Sequence, residues 1–532
     1  MKQSIPRWLS FVFVAGLASA CSSKSSNPTD GGGGNSAVAP PETCPASMTD
    51  CGPAGKDFFD PDKVAELRIT IEDAEVQAAV ADARAQGLLD ASPHDWIDLL
   101  WSRWGVCTDI ADLPVKIQYK SPDGVGDAVL YDVGMRFRGT KSRGVNVLQG
   151  FKLDINKLLP DPDPVAGAGS RQFGGVNTIN ALSIEGDNSL LLQCAAYKVM
   201  RDSGLPTPRC NHLSVYINGQ YYGLMQSVES VHTGSFLKHA FDDKTGDLYA
   251  CSAGCLYKDS FADLKYISDS FTDYLNPPKY ETSGVADPLN GPNATLIPML
   301  KCGDATTTPD PEAFKKCIQE WIDVPEWLRL MAGESLLPTL ESFLGALRNY
   351  YLYFKPDVTA PHGGRFELYS WDYDVAFNKQ QVYPTSGDPF TSVTQWFFPS
   401  QRAKLAQRLT KEFKADYCEA MYSFLDKAYK PETIDKIARP LQPIVANTAL
   451  QSSTWPLRKT VPCDGAGDVS GAGGASAMVC KGEPLSLEGW LHEVGMIRDF
   501  IVSNKAKMTD AVTAACGPRV PPTPTPDAAV AP

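Results

Sequence analysis

Apolar and polar residues alternate along much of the first half of the chain, the period of a half-buried β-strand. VAELRITI (64–71) follows it, as do PVKIQYKS (114–121) and VLYDVGMRFR (129–138), which flank a Pro-Asp-Gly turn. FKLDI (151–155) and INALSIE (179–185) read as further strands. HLSVYING (212–219) and YYGLMQSVE (221–229) read as a hairpin about Asn218-Gly219, because a tight hairpin turn favours residues that accept positive φ. The period changes to that of a helix at 73–87 and at 188–203, the second opened by Asp187 or Asn188 and stopped by Gly204. The second half is more helical, with helices predicted at 311–322, 325–347, 399–429, 432–450 and 485–514. Two strands interrupt them, NYYLYFKP (349–356) and GRFELYSWDYDVAF (364–377). The expected class is α+β, rich in antiparallel strands in its N-terminal part and helical in its C-terminal part.

The two ends of the chain break this pattern. Lys2 and Arg7 precede a mostly apolar run from Trp8 to Leu17, long enough for a signal-peptide core and too short to span a bilayer. Ala18, Ser19 and Ala20 then lead into Cys21, the small-residue setting that a lipoprotein signal peptidase requires. The expectation is export, with residues 1–20 removed, Cys21 lipidated, and the protein held on a membrane surface, the outer membrane or the cell surface. Residues 21–56 are rich in Ser, Gly and Pro at their start and read as a flexible linker. The folded body is expected over 57–516, and the Pro-rich tail 517–532 to be disordered. A Gly-rich insert occupies 464–476.

Composition narrows the partners. The 532 residues carry a net charge of −13, which argues against nucleic acid as a main partner. Fourteen cysteines in an exported chain read as a disulfide framework. With Cys21 lipidated, thirteen remain, so at least one thiol is left over. Close spacing suggests local loops at Cys44–Cys51, Cys251–Cys255, Cys302–Cys317 and Cys463–Cys480, although spacing does not fix connectivity. The absence of any CxxC pair and the scatter of six His argue against a zinc site.

Candidate chemistry lies where carboxylates converge. Asp372 and Asp374 stand two apart on a predicted strand, which would point both to one face. Flanked by Trp371, Tyr373 and Phe377, such a pair suits a hard cation shared with phosphate oxygens. A bare DxD is equally the mark of two solvated acids on a strand edge.

Six segments in order resemble the spore-coat protein H (CotH) kinase family, an atypical protein-kinase-like group. They are RITIEDAEVQAAVAD, VGMRFRGTKSRG, GFKLDINK, DNSLLLQCAAYKVMRDSGLPTP, VYINGQYYGLMQSVE, and ESFLGALRNYYLYF followed by ELYSWDYDVAF. The resemblance covers roughly residues 58–380. It implies a two-lobed fold, N-lobe-like over 57–235 and C-lobe-like over 236–516. It also implies transfer of phosphate from ATP to Ser or Thr of exported or surface proteins, with Mg²⁺ or Mn²⁺.

The resemblance also suggests roles. Asp372 or Asp374 would hold the metal, with Asn349 as a second ligand or a support. Glu341 would orient the hydroxyl, and Lys152 would meet the phosphates. Arg138, Lys141, Ser142 and Arg143 form a basic, glycine-flanked loop that would cover the phosphates, and Glu229 would lie near the nucleotide base. Three places depart from the family pattern: Glu341 stands where Asp is usual, Leu192 where Arg is usual, and Leu148, Gln149 and Gly150 where a basic residue followed by Ser often precedes the FKL strand. The familiar kinase motifs, GxGxxG, VAIK, HRD and DFG, do not occur. An inactive, kinase-like surface lipoprotein is therefore the alternative. A sugar-binding protein using Trp371, Trp396 and Phe397 is a third reading.

Overall fold

The alternating segments form a closed barrel. In the computed structural model β1 (Val64–Ile71), β2 (Leu113–Lys120), β3 (Ala128–Phe137), β4 (Phe151–Asp154), β5 (Thr178–Leu182), β6 (Cys210–Ile217) and β7 (Gln220–Val228) run in the order β1-β2-β3-β4-β5-β7-β6. Each pairing is antiparallel except the one that closes the ring, β1 against β6. Side chains at every second position fill the interior, among them Leu67, Ile69, Val115, Ile117, Met135, Phe151, Leu153, Ile179, Val215 and Met225. The structure describes residues 58–87, 112–138, 149–158, 173–184, 187–251, 262–275, 278–283, 287–288, 290–337, 339, 342–345, 347–374, 376–377, 403–447 and 486–519. They all belong to a unit spanning Pro40–Pro532, separate from Met1–Ala39. Residues 1–20 expected to be a signal peptide, Cys21, the expected linker, the 464–476 insert, Trp396, Phe397 and the tail beyond Arg519 lie outside the described residues.

The turn at Asn218 (φ 49°) and Gly219 (φ 81°) is the one the sequence calls for. Asn218 does more than turn. Its backbone N–H donates to the Ile69 carbonyl (2.8 Å) and its side-chain oxygen accepts from the Ile71 N–H (2.9 Å), tying the hairpin tip to β1.

A second sheet holds β8 (Asp247–Cys251), β9 (Glu281–Ser283), β10 (Tyr350–Pro356) and β11 (Gly364–Ser370), in the order β11-β10-β8-β9. Helices dominate the rest: α1 (Ala74–Ala85), α2 (Leu192–Asp202), α3 (Gly234–Phe241), α4 (Leu296–Gly303), α5 (Pro311–Trp321), α6 (Val324–Leu336), α7 (Lys404–Glu412), α8 (Lys414–Lys427), α9 (Glu432–Ala438) and α10 (Leu487–Cys516). The architecture is thus mixed, a barrel in the N-terminal part and a helical C-terminal part.

Local chemistry moves several predicted boundaries. The helix expected over 325–347 ends with α6 at Leu336, because Leu337 precedes Pro338 and a residue before proline disfavours the helical region. The helix expected over 188–203 begins only at Leu192, after a turn with Leu190 in the left-handed region. Asp187 organises that turn by accepting from the N–H groups of Ser189 (2.9 Å) and Leu192 (2.8 Å). It caps the helix from five residues upstream rather than as the usual N-cap. The segment 399–429 divides at Phe413 into α7 and α8. Beyond α9, Pro440 and Pro443 reduce 432–450 to a short 3₁₀ turn and a single helical turn.

Three disulfides occur among the described residues: Cys194–Cys210, Cys302–Cys317 and Cys418–Cys516. The second is an expected local loop. The first and third join elements that only the fold brings together, α2 to β6 and α8 to the end of α10. Cys251 was expected to pair with Cys255, yet it is a buried thiol in β8, so it is one leftover cysteine.

His212 on β6 is buried with its Nε2 2.7 Å from the Leu190 carbonyl, an arrangement in which a neutral ring donates from Nε2. Burial lowers its pKa from 6.5 to about 4. An unfolded chain would take up this proton near pH 6.5, so the contribution to stability is complete above that pH. It is lost as the pH falls from there through about 4. The loss reaches about 3 kcal/mol. His212→Gln can make the same donation without titrating and is expected to flatten this part of the profile. Urea midpoints for both chains across that pH range check it.

Candidate active site

β10 begins beside the end of β11, and the candidate acids follow directly in the chain. Tyr350 pairs with Ser370, and one step further the Trp371 N–H donates to the Asn349 carbonyl at 2.7 Å. Asn349 (φ 56°) and Asp372 (φ 67°) both lie in the left-handed region, as do nearby Leu347 and Phe377. Such conformations are uncommon outside glycine and cluster at functional sites.

This corrects the expectation that Asp372 and Asp374 share a strand face. The strand stops at Ser370, so the two-residue period does not apply. Asp372 is half-buried, Tyr373 is buried, and Asp374 is exposed.

Helix α2 holds Asp372 in place. The Tyr197 hydroxyl accepts the Asp372 backbone N–H at 2.9 Å, and Gln193 Nε2 donates to Asp372 Oδ1 at 3.1 Å. Gln193 and Tyr197 are four apart, on one face of α2, and both are buried. Burial, with the charges of Asp372 and Asp374, keeps the Tyr197 phenol far above its ordinary pKa and so protonated. Sequence reading assigned neither residue a role. The available signal was a glutamine among apolar residues in a helix with a strongly apolar face.

The opposite wall is basic. Arg136, Lys152 and Asn180 stand in register across β3, β4 and β5. They point outward because Phe137, Phe151, Leu153, Ile179 and Ala181 fill the barrel. Arg138 continues past β3, its N–H donating to the Gly150 carbonyl at 2.7 Å. Its guanidinium lies 5.5 Å from the centre of the Trp371 ring, and its Nη1 is buried with no hydrogen-bond partner among the described residues.

Burial lowers the pKa of Arg138, while Tyr351 and Asp372 pull it up. Lys152 is also lowered, by burial and then by Arg136, although Asp154 lies 3.5 Å from its Nζ. His232, beyond the end of β7, is lowered to about 4 by burial and by Arg138, Lys152 and Arg136. Three cations and a neutral imidazole thus converge beside Trp371 and Asp372. A wall of this kind suits an anion with several oxygens, above all where an arginine donor is already desolvated.

The structure brings Arg138, Lys152, Asn349 and Asp372 to one region, with Asp374 at its exposed rim. Glu229 has another use. It is fully buried at the end of β7, and its carboxylate takes Nη2 (2.7 Å), Nε (3.0 Å) and the backbone N–H (3.1 Å) of Arg209. From this segment it is His232 that faces the basic wall. Lys141, Ser142, Arg143 and Glu341 lie outside the described residues.

Among the described residues no three His, Cys, Asp or Glu side chains form a metal-holding group. A cation that keeps several waters and takes phosphate oxygens needs only one or two carboxylates. Asp372, already oriented by Gln193 and adjoining Asn349 across the strand ends, fits that lesser requirement.

A family model described as CotH kinase protein matches residues 135–506, a span that includes Arg136, Arg138, Lys152, Gln193, Tyr197, Asn349 and Asp372. No individual curated protein matches the chain.

Proposed function

The chain belongs to the CotH kinase family, and on that premise we propose that it transfers the terminal phosphate of ATP to Ser or Thr hydroxyls of proteins. Membership implies ATP and a divalent metal in general. The observation that carries the reading for this chain is Arg138, a desolvated guanidinium with an unpartnered Nη1, set against Trp371 beside Asp372. Such a group is poised for an anionic ligand.

Arg138 and Lys152 would meet the phosphates, and the outward row places Arg136 next to them. Asp372, with Asn349 and the more exposed Asp374, would hold Mg²⁺ or Mn²⁺. When bound, that cation supplies neutralisation of the phosphate charge. The substrate hydroxyl oxygen forms a bond to the γ-phosphorus as the bond to ADP breaks, and the hydroxyl proton passes to a carboxylate, for which Glu341 is the candidate. The barrel-bearing part and the helical part are read as counterparts of two kinase lobes.

The substrate is taken to be an exported or surface protein, and the chain itself to be exported and tethered by lipid on Cys21. Three disulfides among the described residues support an oxidising compartment.

Incubation of the purified chain with γ-labelled ATP and Mn²⁺ tests the activity. Covalent label on the chain itself or on an added acceptor protein is the expected result. Binding of ATP with no label on either would instead favour the inactive, kinase-like alternative.

A further inference from the structure

One buried carboxylate has no part in the chemistry above. Glu334, near the end of α6, is 3% exposed. Its Oε1 accepts from the Ser370 hydroxyl (2.6 Å) and the Tyr373 hydroxyl (3.2 Å). Its Oε2 accepts from the Leu344 backbone N–H (2.9 Å). Burial raises its pKa, and hydrogen bonds from Ser370, Leu344, Ser342 and Tyr373 oppose the rise. No cation is among these influences.

Among the described residues this carboxylate is held by neutral donors, and a buried carboxylate so held costs stability that an apolar side chain would not. The donors are also not scattered. Ser370 is the last residue of β11, and Tyr373 is the residue between Asp372 and Asp374. Leu344 lies in the chain between α6 and Asn349, which directly precedes β10. Asp372 is therefore flanked on both sides in the chain by residues that one carboxylate holds. Gln193 and Tyr197 grip Asp372 itself from α2, and the Tyr197 and Tyr373 rings lie 5.5 Å apart.

We infer that Glu334 is a positioning residue for phosphoryl transfer, fixing the Trp371–Asp374 segment against the Ser342–Leu344 stretch so that Asp372 and Asn349 present their oxygens together. It acts through Ser370 and Tyr373 and touches no reactant. The inference rests on the kinase reading above. Groups that orient a metal-holding carboxylate typically change metal affinity or activity 10- to 100-fold when removed.

Glu334→Gln keeps the shape but turns an amide N–H₂ toward donors. It is expected to raise the Mn²⁺ concentration for half-maximal ATP-dependent labelling about tenfold or more. Tyr373→Phe removes a single donor and should produce a smaller rise in the same direction, with a thermal midpoint near that of the parent chain. A structural role alone would lower the thermal midpoint and leave the Mn²⁺ dependence of the folded fraction unchanged, and that result in Glu334→Gln would overturn the inference. Should Glu334→Gln fail to fold, Tyr373→Phe decides: a raised Mn²⁺ requirement supports the inference and an unchanged one overturns it. Asp372→Asn is the reference. If the parent chain takes up no label, the kinase reading falls and this inference with it; if the parent labels and Asp372→Asn labels as well with the same Mn²⁺ requirement, the metal-holding role of Asp372 falls, and this inference falls while the kinase reading stands.

Discussion

Asp372→Asn is expected to lower ATP-dependent labelling about 100- to 1,000-fold, the cost typical of removing a group that meets developing charge in a transition state. The choice of Asn isolates the charge. Asparagine tolerates the left-handed backbone that residue 372 adopts, and its side-chain oxygen can still accept from Gln193. The backbone N–H bond to Tyr197 is untouched. The thermal midpoint should therefore stay near that of the parent chain while the rate collapses. Asp374→Asn is expected to cost about tenfold at most, since an exposed carboxylate is screened by water and held less rigidly. Comparing the two initial rates assigns the principal metal-holding carboxylate, which a DxD pattern alone leaves open. Equal losses would mean that both carboxylates reach the ligand in spite of their different exposure.

Arg138→Met is expected to stabilise the ligand-free protein while disabling it. In the free chain the guanidinium is enclosed, one of its nitrogens lacks a partner, and Arg136 repels it. Replacing a buried, poorly paired ion by an apolar side chain of similar length is often neutral or stabilising, here by about 1 kcal/mol. A hydrogen bond to a charged ligand contributes about 1.5–3 kcal/mol. Loss of Arg138 should thus weaken ATP binding about 10- to 100-fold. Thermal unfolding without nucleotide, followed by nucleotide titration, measures both effects on one sample. A variant that is less stable and binds ATP normally would make Arg138 a structural residue. The expected opposition of stability and function is what a preorganised anion site entails.

Where local periodicity governs, the sequence was readable. The seven barrel strands follow apolar alternation, and the hairpin follows Asn218-Gly219, because side-chain direction and turn conformation are local properties. Lys152 and Arg138 are named through the family resemblance, and alternation adds only that the inward Phe151 and Leu153 of β4 leave the outer face to Lys152. Readability ends where tertiary contacts override the pattern. Trp371–Phe377 has the apolar content of a strand, but two residues of α2 bend it out of the sheet at Asp372. No window around 372 contains Gln193 or Tyr197. Glu334 is hidden in the same way: in the sequence it is one glutamate in a helix, and only the fold brings Ser370, Tyr373 and Leu344 to it. The same holds for the Cys194–Cys210 and Cys418–Cys516 bridges, whose partners lie on elements that meet only after folding.

The central claim is that the basic wall of the barrel and the Asp372 segment form one nucleotide site. Equilibrium binding of Mn²⁺–ATP to the parent chain, Arg138→Met and Asp372→Asn, by calorimetry with each variant checked for folding, tests it most directly. The account predicts saturable binding to the parent chain, affinity at least about tenfold weaker in Arg138→Met, and loss of the Mn²⁺ requirement in Asp372→Asn. Binding of equal strength and equal Mn²⁺ dependence in all three chains, or no binding to the parent, would contradict it.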